Sequence, residues 1–283
     1  MTYSESIELF LKTHPYQEMR VDGAVFRYVT AGEESAPCVV FLNGGMNCSE
    51  MWFQYVEKMS GEYRTLIFDY PQELITCEET IAAMRSFFMR LGIKKAFFAG
   101  ASFGGIMAQL WARAYPETVT GLGLFSTAGL DENTIRSAGK KYRFLPLLLW
   151  YMKRCNYEKL KTKLINNSLK RYARQETPEN QQYLREMFEW IFRGYTREKD
   201  MHITSMMAGA VDTNPCVAED FAFVRDRVLL VFPEKDFFSE EEQASLRKLF
   251  PSAAVQSIRN GHFGTVLECD RYTGWMRNLI ADA

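Results

Sequence analysis

K-A-F-F-A-G-A-S-F-G-G-I-M-A-Q-L-W-A-R-A-Y-P, residues 95–116, decides the fold. Its first six residues are a short apolar run, which reads as a strand buried on both faces. From Phe103 to Tyr115 the pattern turns helical, and Pro116 closes it. The strand passes to the helix through Gly100-Ala101-Ser102-Phe103-Gly104-Gly105, a match to G-x-S-x-G. So short a pattern is common by chance, and the strand before it and helix after it carry the reading. A turn this tight lifts the serine hydroxyl above the strand ends. It needs small neighbours, and Gly100, Ala101, Gly104 and Gly105 supply them. The helix start then aims backbone N–H groups at any oxyanion forming beside Ser102. The plainer reading makes Ser102 an ordinary N-cap.

Outward from this stretch the same pattern repeats. C-V-V-F-L-N (38–43), T-L-I-F-D-Y (65–70), V-T-G-L-G-L-F-S-T (119–127) and V-L-L-V-F (228–232) read as further buried strands, and 254–259 as a weaker one. Helical segments are predicted at 50–59, 77–91, 239–250 and 265–281. M-R-V-D-G-A-V-F-R-Y-V turns at Asp22-Gly23, a hairpin signal. Residues 1–17 read as a polar lead-in with room for a short helix. Strands alternating with helices specify an α/β protein with a mostly parallel, doubly wound sheet. Over residues 131–215 the repeating pattern of buried-strand runs vanishes and helical, charged sequence takes over. These residues are predicted to be a helical cap inserted into a core made of 1–130 and 216–283.

Composition agrees with one globular unit. Of 283 residues, 47% are hydrophobic and 24% charged, which excludes a disordered chain. A net charge of −1 argues against a dedicated nucleic-acid partner. Six scattered cysteines without a C-x-x-C pair, and only three histidines, offer no metal site, and nothing calls for a cofactor. Such cysteines point to reduced thiols and a cytoplasmic location. The acidic N-terminus has no apolar core of a signal peptide. The longest apolar run, Phe144 to Met152, contains Pro146 and falls far short of the ~20 residues a membrane span needs.

A serine nucleophile needs a base. His14 precedes the first strand and His202 lies in the inserted block. His262, in N-G-H-F-G, directly follows the last predicted strand. Loops after parallel strands gather at one sheet edge, where Ser102 also sits, so His262 is the expected base. The acid that orients it is expected in P-E-K-D (233–236), with Asp236 preferred, Glu234 weaker and Asp131 the main competitor. The oxyanion needs two backbone donors. Phe103, next after the serine, gives one. Gly45 in N-G-G-M gives the second, with Met46 as the alternative.

These motifs together resemble the α/β-hydrolase superfamily over nearly the whole chain. They are L-N-G-G (42–45), F-D-Y-P (68–71), G-A-S-F-G-G (100–105), P-E-K-D (233–236) and G-H-F (261–263), in that order. W-F (52–53), Y-R-T-L-I-F-D-Y-P (63–71) and G-A-S-F-G-G-I-M-A-Q (100–109) resemble the maspardin-like branch more loosely. Asn43-Gly44 departs from the usual His-Gly, and Gln72-Glu73-Leu74 from the usual glycine-rich continuation. The chain order Ser102, Asp236, His262 is that of the superfamily's triad. The resemblance implies a serine hydrolase acting through an acyl-enzyme on a small ester or related acyl substrate (thioester, amide and carbon–carbon bonds stay open). Epoxide and haloalkane chemistry in this superfamily uses an aspartate nucleophile, so Ser102 argues against both. Peptidase action would need an acid in the cap, and the basic cap argues against it. The competing expectation is a binding or adaptor protein on a hydrolase scaffold.

Between Arg136 and Arg174 twelve Lys/Arg face one acid, Glu158, a net of +11. Such a cap could draw anionic substrates or rest on an acidic membrane surface. The preferred expectation is plainer: the basic side is solvated, and the apolar run, through Leu147 and Trp150, joins Met46 in lining the acyl pocket. Nothing in the sequence sets the oligomeric state.

Overall fold

In the computed structural model, which describes residues 2–174 and 176–281 with the side chains of 171 and 172 set apart, eight strands form one sheet. They are β1 (Gln17–Val21), β2 (Ala24–Ala31), β3 (Cys38–Leu42), β4 (Arg64–Phe68), β5 (Ala96–Ala101), β6 (Val119–Phe125), β7 (Val228–Pro233) and β8 (Ala254–Ile258). Their order is β1-β2-β4-β3-β5-β6-β7-β8. The β1–β2 hairpin turns at Asp22 and Gly23, both with positive φ as a two-residue turn requires. β2 meets β4 antiparallel, and every later pairing is parallel. Every residue of β3, β4 and β7 is buried, which explains their unbroken apolar runs. β8, at the edge, buries only Ile258 fully, and its sequence signal is correspondingly weak.

Helices α1 (Tyr3–Thr13), α2 (Phe53–Met59), α3 (Cys77–Arg90) and α4 (Phe103–Ala114) belong to the first half of the chain. α5 (Glu132–Tyr142), α6 (Leu145–Arg154), α7 (Tyr157–Ser168), α8 (Pro178–Arg193) and α9 (Arg197–Gly209) all lie between β6 and β7. α10 (Glu240–Leu249), α11 (Gly264–Leu267) and α12 (Cys269–Ala281) follow. Gln109 of α4 ties the start of the inserted block to the core: its amide donates to Ala128 O at 2.9 Å and accepts from Leu130 N at 3.1 Å.

The short helix allowed for in the polar lead-in is α1, opened by a capping box between Thr2 and Glu5. Tyr3, Ile7 and Phe10, at helical spacing, are buried, and Tyr3 N donates to Glu186 of α8 at 2.9 Å. The helix expected over 265–281 is two helices. Glu268 leaves the helical region at φ −120°, ψ 36°, because α11 follows the His262 turn while α12 packs on α2 and β7.

The topology positions the site. From β3 the chain winds to β4 on one side, then crosses back to β5 on the other. The loops leaving β3 and β5 therefore part in opposite directions, opening a crevice between their C-terminal ends. Gly44 follows the first strand and Ser102 the second.

Candidate active site

Ser102 sits at φ 55°, ψ −123°, a conformation that only strong local constraint imposes on a residue with a side chain. The constraint is visible on both sides. Ser102 N donates to Phe125 O at 2.9 Å, and Thr127 Oγ1 donates to Ser102 O at 2.7 Å. A Cβ on Gly104 would lie 2.0 Å from Leu42 O, and one on Gly100 2.2 Å from Gly104 O. The glycines are required because helix α4 starts against the backbone of two strands. Ser102 makes no side-chain capping bond to α4, unlike an ordinary N-cap. Its hydroxyl is left for the cavity above the sheet edge, which Ser102 lines.

His262 lines the same cavity. Its Nδ1 lies 2.6 Å from Asp236 Oδ1, and the Asp236 side chain is wholly buried. A carboxylate accepts only, so the proton is held on Nδ1 and Nε2 is left as the basic nitrogen. Phe237, Phe238 and Phe263 surround the imidazole, with ring centroids 5.6–6.2 Å away. The competing groups are placed elsewhere. Asp131 caps α5, accepting from Thr134 N at 2.9 Å. Glu234 is exposed. His14 stacks on Phe10, and His202 bonds Leu74 O through Nε2 at 2.6 Å.

Gly44, Gly45, Met46 and Phe103 line the cavity beside Ser102. Residues 44–47 form a turn closed by Asn47 N donating to Gly44 O at 2.9 Å. Asn47, fully buried at φ 42°, fastens this turn: its amide accepts from Tyr70 N at 2.8 Å and donates to Tyr70 O at 2.9 Å. Asn43, in place of the usual histidine, donates to Phe68 O at 2.8 Å. Beneath it Arg27 bridges Glu50 and Asp69, each at 3.0 Å, with the Tyr16 ring 3.4 Å below its guanidinium. Asp69 also accepts from Ser49 N at 2.9 Å. The charges in this cluster are paired and hydrogen-bonded, so it stiffens the turn without stranding an ion.

No known family's sequence profile matches the chain. The mouse protein named Epoxide hydrolase 4 is 29% identical over 119 residues, 38% of this chain and 33% of its own length. Proline iminopeptidase PfmaB of Pestalotiopsis fici is 32% identical over 122 residues, 39% of this chain and 43% of its own. The chain thus spans between a third and a half of the curated relatives it matches. Among solved structures, the enol-lactonase from Burkholderia xenovorans superposes with a TM-score of 0.74 at 17% identity, covering 94% of this chain and all of that one. Carboxylesterase CesB (YbfK) from Bacillus subtilis gives 0.69 at 16% identity, covering 99% and 98%. The chain has the α/β-hydrolase fold.

Within this α/β-hydrolase fold the cavity measures about 430 Å³ and is walled chiefly by apolar and aromatic side chains from core and insertion alike. The insertion's side comes from α5 (Ile135, Tyr142), α7 (Leu164), α8 (Phe188, Phe192), the following Tyr195, and α9. Met207 of α9 lies over Gly45, so close that a Cβ there would be 2.8 Å from its sulfur. Cys48 also lines the cavity, but burial pushes its thiol well above the ordinary value, so it is no rival nucleophile.

The sequence missed one group. Asp200, on the first turn of α9, is buried and lines the cavity. Tyr157 Oη donates to its Oδ2 at 3.1 Å, and burial pushes its carboxyl above the ordinary value despite bonds from Tyr157 and Thr204. Its only sequence signal was an acid in the first turn of a helix, which looks like dipole compensation. Leu147 and Trp150 correct the expectation made for them. They do not line the cavity and are 63% and 52% exposed. α6 packs on α9, with Met152 buried and Leu145 and Leu149 partly so; 147 and 150 fall on its other side.

Proposed function

We propose that the protein is a serine hydrolase of small acyl substrates, with a carboxylic ester as the preferred class and Ser102, His262 and Asp236 as its triad. The observation that carries this reading is the carboxylate-held imidazole of His262 in the same cavity as the strained Ser102. His262 Nε2 takes the Ser102 proton as Oγ attacks the substrate carbonyl. The N–H groups of Phe103 and Gly45 hold the oxyanion, helped by the start of α4. The imidazolium then protonates the leaving alcohol. Water, deprotonated by the same imidazole, releases the acid from the acyl-enzyme. An epoxide-opening reaction of the aspartate type lacks its nucleophile here, since serine occupies the elbow.

Asp200 favours a second reading within the same mechanism. A buried carboxylate in an apolar cavity suits a substrate ammonium or hydroxyl, so aminoacyl esters or amides become candidates. One screen separates the readings. A fluorophosphonate probe should label the wild type and not Ser102→Ala. A series of p-nitrophenyl esters, run beside aminoacyl p-nitroanilides, should show ester turnover throughout and no requirement for an amine. Turnover confined to aminoacyl compounds and lost in Asp200→Asn would favour the second reading. Absence of labelling and turnover in the folded protein would leave the adaptor reading.

A further inference from the structure

Helix α6 turns apolar side chains outward within the basic segment of the insertion. Phe144, Leu147, Leu148 and Tyr151 follow the i, i+3, i+4, i+7 spacing that aligns side chains in one stripe, with Trp150 beside it. All five are between 45% and 63% exposed. Single exposed apolar residues are ordinary. Here five of the twelve large ones exposed among the described residues belong to one ten-residue helix and its N-cap.

Cations frame this stripe. Lys140 and Arg143 precede it, and Lys153 and Arg154 follow. The Arg143 guanidinium lies 4.7 Å over the Phe144 ring and that of Arg154 4.8 Å over Trp150. Lys141 is paired with Glu242 at 3.2 Å, but no ion pair holds the other four among the described residues. Their charge is available to an outside partner.

We propose that α6 is a docking face for an anionic lipid surface. Its leucines and aromatics enter the boundary between headgroups and acyl chains, while the cations at either end meet lipid phosphates. The contact proposed is with the bilayer surface; no described helix is long and apolar enough to cross a membrane. A second copy of the chain fits this face badly. It would bring together two segments that each carry a net +11. The same repulsion does not arise at an anionic bilayer, where both the charge and the apolar stripe find complements.

Co-sedimentation of the full chain with vesicles tests the idea without any turnover. Phosphatidylcholine vesicles should bind it weakly. Replacing a third of the lipid by phosphatidylglycerol should raise partitioning at least tenfold, and added salt should reverse the gain. Lys153→Gln with Arg154→Gln should lower partitioning roughly 25-fold, about fivefold for each charge lost near the surface. Leu147→Ser with Trp150→Ser should lower it at least tenfold while leaving the thermal midpoint unchanged, because both side chains are solvent-facing. Equal partitioning to neutral and anionic vesicles would overturn the proposal. So would a dimer in solution that Leu147→Ser dissociates, which would identify the face as a self-interface.

Discussion

Replacing Ser102 by glycine should make the protein more stable as it destroys activity. A residue with a side chain at φ 55°, ψ −123° costs about 1–3 kcal/mol relative to relaxed backbone. Glycine adopts this region freely, but it loses about 0.5–1 kcal/mol relative to alanine through its greater freedom when unfolded. The difference leaves Ser102→Gly more stable than Ser102→Ala by roughly 0–2.5 kcal/mol, centred a little above 1. Ser102→Ala keeps the strain and loses a hydroxyl that makes no capping bond, so it should match the wild type within about 0.5 kcal/mol. Urea denaturation of the three proteins in parallel measures the differences, and thermal midpoints should separate by about 2–4 °C per kcal/mol. Both variants lack the nucleophile, so substrate or product cannot bias the comparison. At an ordinary position alanine would be the more stable by 0.5–1 kcal/mol. That order here would refute the claim that the elbow stores strain.

Asp236→Asn should lower kcat by about 10⁴-fold, since an amide favours the wrong imidazole tautomer; a change under tenfold would remove Asp236 from the triad. Gly104→Ala should cost about 3 kcal/mol or more and lower the soluble yield, because its Cβ would meet Leu42 O at 2.0 Å. Gly139→Ala in α5, with open space around it, should instead gain up to about 1 kcal/mol; denaturation curves of both check the contrast. Asp200→Asn should be more stable than wild type at pH 7. A carboxyl whose folded pKa is raised is most stabilising below its unfolded value and loses that contribution as pH rises. The variant's advantage should therefore shrink to nothing as pH falls below about 3.8, and an advantage independent of pH would contradict the burial effect.

The strands of this fold were legible because parallel strands buried on both faces must be continuous apolar runs. V-L-L-V-F and C-V-V-F-L-N declare themselves without tertiary context. The nucleophile turn was legible for a related reason. Backbone packing within 2–3 Å admits only glycine, and sequence records that exclusion directly. The lead-in helix α1 has a weak sequence signature because Tyr3, Ile7 and Phe10 are spaced among charged and polar residues. Its apolar stripe gains meaning only from α2 and α8, which it covers.

The sequence by itself determined the alternation of strands and helices, the glycine-framed Ser102 and the position of His262 after the last strand. Each is written in local residue types that one local geometry demands. The sequence preferred Asp236 as the imidazole's partner but kept Glu234 and Asp131 open, and only the tertiary structure, which sets where each loop ends, decided between them. It also decided the cap. Asp200 faces the cavity and Leu147 and Trp150 face outward because α9 and α6 pack with a particular rotation, and a helix's sequence fixes its stripes but not which stripe finds the core.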